Sequence, residues 1–382
     1  MSDTASEARS GPPADRGVPD AADASAPRGS DAAAPAGGGA GSGPSNGAGT
    51  GTSAGGSSRV VRGLSDAFLR RRETSILLVA LGLVVYFRVS SEFFLTETNL
   101  VNISQAAAPT AIVAVGIVFL LVSGEIDLSV GMVFALAPFL MHYAIDFYGV
   151  PAIPAILLSL LICAGIGLIN GFIVVKLRVP SFVTTLGSFY VLQGVVLTTS
   201  HAYPAEIPTP TEGTIRSWLG AAPWAELTWC LIIVAIFHVV LTRTRWGLHT
   251  ISVGGNLLGA TEAGIKIARI KIGNFMITSV LGGFAGLMEA FRVHSIDPNL
   301  GGGTQVTFAA ISAAVIGGTA LAGGSGTVIG ALLGAVVLAE LQNGFNLIGI
   351  SANPFFLILG GAILASMIAN QYLARLRRAG RT

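Results

Sequence analysis

The sequence predicts an all-α integral membrane protein with about ten transmembrane helices. Of its 382 residues, 52% are hydrophobic and only 11% are charged, against about 25% charged in typical soluble domains. The mean hydropathy of +0.71 implies more apolar surface than a water-soluble chain of this size can bury. In a membrane, lipid solvates that apolar surface. From residue 73 onward, apolar segments of helical length follow one another with short polar interruptions.

The first 58 residues differ sharply from the rest. They consist mostly of Gly, Ala, Ser, Pro and Asp, and such a segment cannot bury enough surface to offset its ordering entropy. They also lack the basic start and apolar core of a signal peptide. We therefore predict a disordered cytoplasmic tail over 1–58 and a transmembrane domain over 59–382.

The apolar segments define the predicted elements in order. We predict spans at 74–94, 104–122, 127–145, 152–175, 181–199, 227–242, 272–291, 306–321, 327–348 and 354–373. Arg88 interrupts the first span, where its side chain can reach the membrane interface. The eighth span is short and contains glycine, which predicts a broken or partly inserted helix. The 50 glycines favour closely packed helices.

The cationic residues predict the orientation. With the N-terminus inside, the outer side holds only Arg88, Arg216 and Arg292. The inner side holds Arg59, Arg62, Arg70, Arg71, Arg72, Lys176, Arg178, Arg243, Arg245, Lys266, Arg269, Lys271, Arg375, Arg377, Arg378 and Arg381. Both termini are therefore expected in the cytoplasm, and the loop over about 243–271 is the longest cytoplasmic connection of the transmembrane domain.

An acidic turn, residues 123–131, joins the second and third spans. It places Glu125 and Asp127 between two apolar segments, and ionisable groups in such surroundings are costly and usually functional. Asp127 or Ser129 is expected to cap the third span. The alternative is that Glu125 or Asp127 lines a gate near the cytoplasmic face.

Polar residues within the spans are candidates for a translocation path. We single out Asn170, Gln193, Asn274, Glu289 and Asn343. Glu289 and Arg292 lie three residues apart on one helical face, so a mutual ion pair is the alternative for Glu289.

Four segments carry a resemblance to a known family. They are 93–94 with 99–103; Gly-Glu-Ile-Asp-Leu-Ser-Val-Gly at 124–131; Val-Pro-Ser-Phe-Val-Thr-Thr-Leu-Gly at 179–187; and glycine clusters at 254–256, 264–265, 316–319, 323–326 and 330. In this order they resemble the permease subunits of bacterial ABC sugar importers of the ribose, xylose and galactose type. The chain departs from that pattern at Gln193 and at Thr307 and Ala309, which weakens any transfer of substrate preference.

The resemblance implies a ribose-permease type fold in the bacterial inner membrane and a path for a pentose or hexose. It implies a separate ABC ATPase, an extracytoplasmic sugar-binding protein and a second permease copy. It also implies an ATPase-coupling loop that contains Gly255, Asn256, Ala260, Glu262, Ala263, Gly264 and Ile265. The sequence has no GxxxxGK[ST] motif, so we expect no cofactor on this chain, and ATP and Mg are expected on the partner ATPase.

Other functions have less support. An ion-coupled secondary transporter or channel for a small polar solute is the main alternative, and it would need ion-coordinating groups at broken helices. An embedded enzyme would need a catalytic set, and the five histidines are scattered without one. No basic patch with interleaved aromatic residues predicts nucleic-acid binding. The two cysteines, Cys163 and Cys230, lack metal-ligand spacing, so no metal site is expected.

Overall fold

A computed structural model describes residues 72–298 and 304–349, together with isolated helical positions at 357, 360, 361, 364 and 368. The predicted tail, 1–58, and most of the tenth span lie outside these residues. Among the described residues, the helices of six residues or more are α1 (Arg72–Ser90), α2 (Glu97–Val122), α3 (Val130–Asp146), α4 (Ala152–Lys176), α5 (Ser181–Ser200), α6 (Ala225–Arg243), α7 (Arg245–Gly255), α8 (Leu257–Glu262), α9 (Ile267–Val293), α10 (Thr304–Ile316) and α11 (Val328–Leu347).

Seven of these helices are long and apolar enough to cross a membrane: α1, α2, α4, α5, α6, α9 and α11. Helices α3 and α10 are apolar but shorter. Each of the first nine predicted spans therefore has a helix, and the predicted all-α membrane fold is confirmed. Helix α10, which corresponds to the predicted eighth span, ends at Ile316 instead of residue 321, because Gly318 adopts a φ of 85° and the Gly318 and Thr319 amides bond back to the last turn.

The connection between α5 and α6 contains short elements only. Strand β1 (Ala205–Glu206) pairs antiparallel with β2 (Ser295–Ile296), which directly follows α9. Helical turns at Thr209–Thr211 and Thr214–Arg216 and a π-helical turn at Ser217–Ala221 complete the connection. The strand pair ties this loop to the end of α9.

Helix α2 forms the centre of the bundle. Its second half is apolar on every face and buried on every face, as expected for a helix surrounded by other helices. Helices α6, α9, α10 and α11 pack around it. Helices α3 and α4 pack on α9, and α1 packs on α11.

Small residues bring these helices close together. A Cβ on Gly286 of α9 would lie 1.9 Å from the Phe134 carbonyl oxygen of α3, and a Cβ on Gly334 of α11 would lie 2.1 Å from the Ala313 carbonyl oxygen of α10. Only glycine permits such approach. Large apolar side chains such as Leu161 and Val191 lie exposed on the outside of the bundle, as expected for a surface that meets lipid.

Candidate functional site

Three of the four sequence motifs meet at one end of the bundle, which we call the motif end, whereas the first, at 93–103, lies at the opposite end of α2. Helices α2 and α4 end there, and α5 and α9 begin there. The Val122 carbonyl at the end of α2 accepts a hydrogen bond of 2.8 Å from the Gly324 amide. Gly254 of α7 packs on that same carbonyl, where a Cβ would lie 1.8 Å from the oxygen. Three segments more than 60 residues apart in sequence therefore share one contact.

The acidic turn is also bonded to α5. The Ile126 amide donates to Ser181 Oγ at 3.3 Å, and the Leu128 amide donates to Thr185 Oγ1 at 3.1 Å. Both hydroxyls belong to the predicted motif at 179–187. The two hydroxyls accept hydrogen bonds from backbone amides that lie in a turn and therefore have no partner within a helix or sheet.

The two carboxylates of the acidic turn have different surroundings. Glu125 forms an ion pair with Lys271 in the first turns of α9, and the two side chains are 11% and 16% exposed. Asp127 lies in the turn before α3 begins and is fully buried. Its Oδ1 accepts bonds from the Ser129 amide at 2.8 Å and the Ser129 hydroxyl at 2.6 Å. Burial raises the pKa of Asp127 to about 6, and the bonds from Ser129 oppose that rise.

A buried polar chain continues from the turn into the bundle. Asn170 of α4 donates to Ser129 Oγ at 2.9 Å, and Ser188 of α5 donates to Asn170 Oδ1 at 2.5 Å. Asn170 therefore joins the acidic turn to two helices, and its two amide atoms are occupied by protein partners. The position of Asn170 in this series of hydrogen bonds fits a structural role as well as the predicted role in the translocation path.

The start of α3 is not capped by Ser129. Ser129 holds the N-cap position, but its backbone is helical, with φ −81° and ψ −13°, and its side chain accepts no amide of α3. An N-cap residue normally has extended backbone so that its oxygen can turn towards the free amides. Thr307 of α10 accepts the Gly131 amide instead, at 3.0 Å.

The loop over 243–271 contains α7 and α8, joined at Asn256. Asn256 caps α8, since its Oδ1 accepts the Gly259 amide at 3.0 Å. Gly264, with a φ of 73°, ends the segment, and the Ile265 amide bonds back to the Ala260 carbonyl at 3.0 Å. Ala260 is buried, whereas Gly255, Asn256, Glu262, Ala263 and Gly264 are exposed and Ile265 is half-buried.

An apolar patch on this loop escaped the sequence prediction. Leu257 and Leu258, adjacent at the start of α8, are 51% and 71% exposed, and we call these two residues the leucine face. Leu248 of α7 is also 62% exposed. Two leucines directly after the cap residue Asn256, in a loop rich in Lys and Arg, are the signal that could have found it. Exposed apolar residues grouped outside the spans are typical of an interaction surface.

The five path candidates do not form one site. Asn170 lies beside the acidic turn, and Asn274 is bonded to α7. Glu289 forms an ion pair with Arg292, with Arg292 Nε 3.0 Å from Glu289 Oε2. Gln193 of α5 and Asn343 of α11 are half-buried on separate helices.

The opposite end of the bundle holds a charged cluster that the sequence did not indicate. Glu226 at the start of α6 is fully buried, 3.7 Å from Arg292 Nε. Arg216 of the α5–α6 connection donates to the Phe291 carbonyl at 3.0 Å. Glu212 of the same connection lies 2.6 Å from His294 Nε2. These contacts hold the connection against the end of α9.

A bundle of helices long and apolar enough to cross a membrane, with structured polar loops at its ends, defines a multi-pass membrane protein. Residues 99–368 match the family described as the branched-chain amino acid transport system / permease component. The chain belongs to this family.

Several curated proteins are similar to this chain in sequence over most of their length. The xylose/arabinose import permease protein XylH of Sulfolobus acidocaldarius is 35% identical over 80% of this chain and 87% of its own. The ribose import permease protein RbsC of Escherichia coli K12 is 32% identical over 81% and 96%. The L-arabinose ABC transporter permease protein AraH of Azospirillum brasilense is 30% identical over 80% and 89%. No solved structure matches the chain.

These similarities confirm the predicted membership of the family of ABC sugar-importer permeases. The chain is a multi-pass membrane protein and the non-catalytic permease component of an ABC transporter.

Proposed function

We propose that this chain forms the translocation path of an ATP-driven sugar importer. Two copies of the permease would assemble with two copies of a cytoplasmic ATPase, which binds ATP and Mg. An extracytoplasmic binding protein would deliver the sugar. Closed two-fold assembly is the commonest arrangement for identical subunits.

A pentose is the favoured substrate. The relatives named above are called permeases for ribose, xylose/arabinose and L-arabinose, and each of these is a five-carbon sugar. A hexose is the second candidate, because the departures at Gln193, Thr307 and Ala309 weaken the transfer of a pentose preference from these relatives.

The leucine face supports the choice of an ABC mechanism over ion coupling. An apolar side chain of this size is stabilised by about 1.5–3 kcal/mol when a partner buries it fully. Glu262, Lys266 and Arg269 are exposed nearby and provide a polar rim of the kind found around interface cores. We therefore assign ATPase docking to the leucine face together with the predicted coupling residues from Gly255 to Ile265.

The acidic turn is proposed to act at the inner gate. It lies between the end of α2 and the start of α3 and is bonded to α5 and α9. Through its backbone amides and the side chains of Glu125 and Ser129, the turn thus joins the end of α2 and the start of α3 to α4, α5 and α9. A movement of these helices relative to one another would therefore change the contacts of this turn. Gln193, Glu289 and Asn343 remain the proposed path residues farther along the bundle.

The cationic residues of the motif end support an orientation of the chain in the membrane. Lys176, Arg178, Arg245 and Lys271 all lie at helix ends of the motif end. Cationic residues are retained on the cytoplasmic side, so we place the motif end in the cytoplasm and expect both chain termini there. Single cysteines introduced at Thr242 and at Ala202, in a background without the native cysteines, should differ in labelling by a membrane-impermeant maleimide, with only the second labelled in intact cells.

Transport by the purified complex tests the function. The permease, the ATPase and the binding protein encoded beside it are reconstituted in liposomes, and uptake of labelled ribose, xylose, arabinose and galactose is measured with and without ATP. The expected result is ATP-dependent uptake of one pentose. Uptake driven by an ion gradient without the ATPase would instead establish the secondary-transporter alternative.

The docking assignment has its own matched pair of variants. Leu258→Ser removes an exposed leucine of the leucine face, and Leu161→Ser removes one on the outside of α4 that is 68% exposed. We expect ATPase co-purification to fall about tenfold only for Leu258→Ser, as for the loss of one interface anchor. Equal co-purification of both variants would contradict the docking assignment.

A further inference from the structure

A buried group of side chains ties α7 to the transmembrane bundle. Asn274 of α9 is at its centre: Oδ1 accepts the Trp246 indole N–H at 2.9 Å, and Nδ2 donates to the Phe119 carbonyl of α2 at 3.2 Å and to Thr250 Oγ1 at 3.4 Å. Trp246 and Thr250 lie on α7, one turn apart. We call Trp246, Thr250, Asn274 and the Phe119 carbonyl the amide clamp.

The clamp is tightly packed. Asn274 and Thr250 are completely buried. The Trp246 ring lies against Gly273, where a Cβ would come within 2.3 Å of two ring atoms. The Thr250 hydroxyl also donates to the Trp246 carbonyl at 2.9 Å. The clamp therefore fixes the position of α7 on α9 with little room for adjustment.

The clamp also connects the loop with the acidic turn. Phe119 lies one turn before the end of α2, and the acidic turn begins at residue 123. At its other end, α7 is held by the contact of Gly254 with the Val122 carbonyl. Helix α7 is thus attached to the last turn of α2 at two points, and only Asn256 separates it from α8 and the leucine face.

We propose that Asn274 is a positioning residue that transmits displacement of the α7–α8 loop to the acidic turn. This inference rests on the proposed function, in which an ATPase acts on that loop. The sequence predicts a place for Asn274 in the translocation path, whereas in this proposal Asn274 has a structural role instead. It is the side chain that makes α7, α9 and the end of α2 move as one body.

The chain offers a matched control. Thr278, one turn further along α9, is fully buried, and its hydroxyl donates to the Gly116 carbonyl of α2 at 3.0 Å and, within α9, to the Asn274 backbone carbonyl at 2.8 Å. Thr278→Val removes a buried α9–α2 bond without touching α7. Asn274→Leu, Thr250→Val and Trp246→Phe instead remove parts of the amide clamp, and the last two retain most of the packed volume.

The experiment uses the full complex reconstituted with its ATPase and binding protein. Three quantities are measured for each variant: ATPase co-purification, ATP hydrolysis, and sugar molecules transported per ATP hydrolysed. For the clamp variants we expect co-purification within twofold of the unmodified complex and transport per ATP lowered about tenfold, within the usual range of coupling between sites. Thr278→Val should keep the unmodified ratio.

Several outcomes would overturn the proposal. One is Asn274→Leu with the unmodified ratio of transport to hydrolysis, and another is an equal loss in Thr278→Val, which would indicate general loosening of α9 on α2. If Asn274→Leu does not fold, an unmodified ratio in both Thr250→Val and Trp246→Phe has the same consequence. Failure of the unmodified complex to couple hydrolysis to transport would refute the proposed function itself.

Discussion

Replacing Gly254 by alanine should separate α7 from the end of α2. The new methyl carbon would lie 1.8 Å from the Val122 carbonyl oxygen and 2.8 Å from the Gly324 amide nitrogen. A nonbonded carbon and oxygen need roughly 3.2 Å, so the backbones must part by about 1.4 Å. Overpacking typically costs about 1–3 kcal/mol. We expect about 3 kcal/mol here, because both obstructing atoms belong to backbone that is already hydrogen-bonded.

The neighbouring glycine is the control. A Cβ on Gly255 would meet its nearest atom at 3.7 Å, which is ordinary contact, so Gly255→Ala should leave the stability within about 0.5 kcal/mol.

Thermal unfolding in detergent is followed with a thiol-reactive fluorophore, since the only two cysteines of the chain are both buried. At roughly 2 °C per kcal/mol for a large domain, Gly254→Ala should unfold about 6 °C lower. Equal unfolding temperatures for the two variants would refute the reasoning.

Three further predictions concern the acidic turn and the loop. Glu125→Gln and Lys271→Met should each lower the stability by about 2 kcal/mol, between the values for exposed and buried pairs. The double variant should cost less than the sum, and strict additivity would argue against the ion pair. Asn256→Ala should cost about 1 kcal/mol through the lost cap of α8, whereas Asn256→Asp should be neutral; equal losses would exclude the cap as the cause. Because the folded-state pKa of Asp127 is raised to about 6 from 3.8, the folded protein binds the extra proton, and stability should fall as pH rises through that window. Asp127→Asn should remove this fall and raise the unfolding temperature at pH 7.5 but not at pH 4, and an unchanged pH profile would contradict the assignment.

The helical elements were predictable because each depends on local composition. The predicted spans at 152–175 and 181–199 begin where α4 and α5 begin and end one residue short of them, because Pro151 and Pro180 mark the two starts and Lys176 marks the end of α4. The spans at 104–122 and 127–145 were less accurate. Helix α2 begins seven residues earlier, in a polar segment, and α3 begins only at Val130 because Asp127 and Ser129 bond to each other.

The candidate site was predictable as a set of segments but not as a set of contacts. The sequence indicated the acidic turn and the loop, yet it did not pair Glu125 with Lys271, 146 residues away. It placed Asn274 in the path because a polar residue in an apolar span has no visible partner in the sequence. Trp246 and Thr250, which bind Asn274, lie in a different segment.

The sequence by itself determined that this protein lies in a membrane, the order of its first nine spans and its family, because hydropathy and motifs are properties of contiguous residues. Only the tertiary structure decided the roles of single polar residues. In an apolar interior a polar group must find a partner, and that partner comes from whichever helix the packing brings near. Thus Thr307 of α10 bonds to the start of α3, and Asn274 of α9 holds α7 against α2.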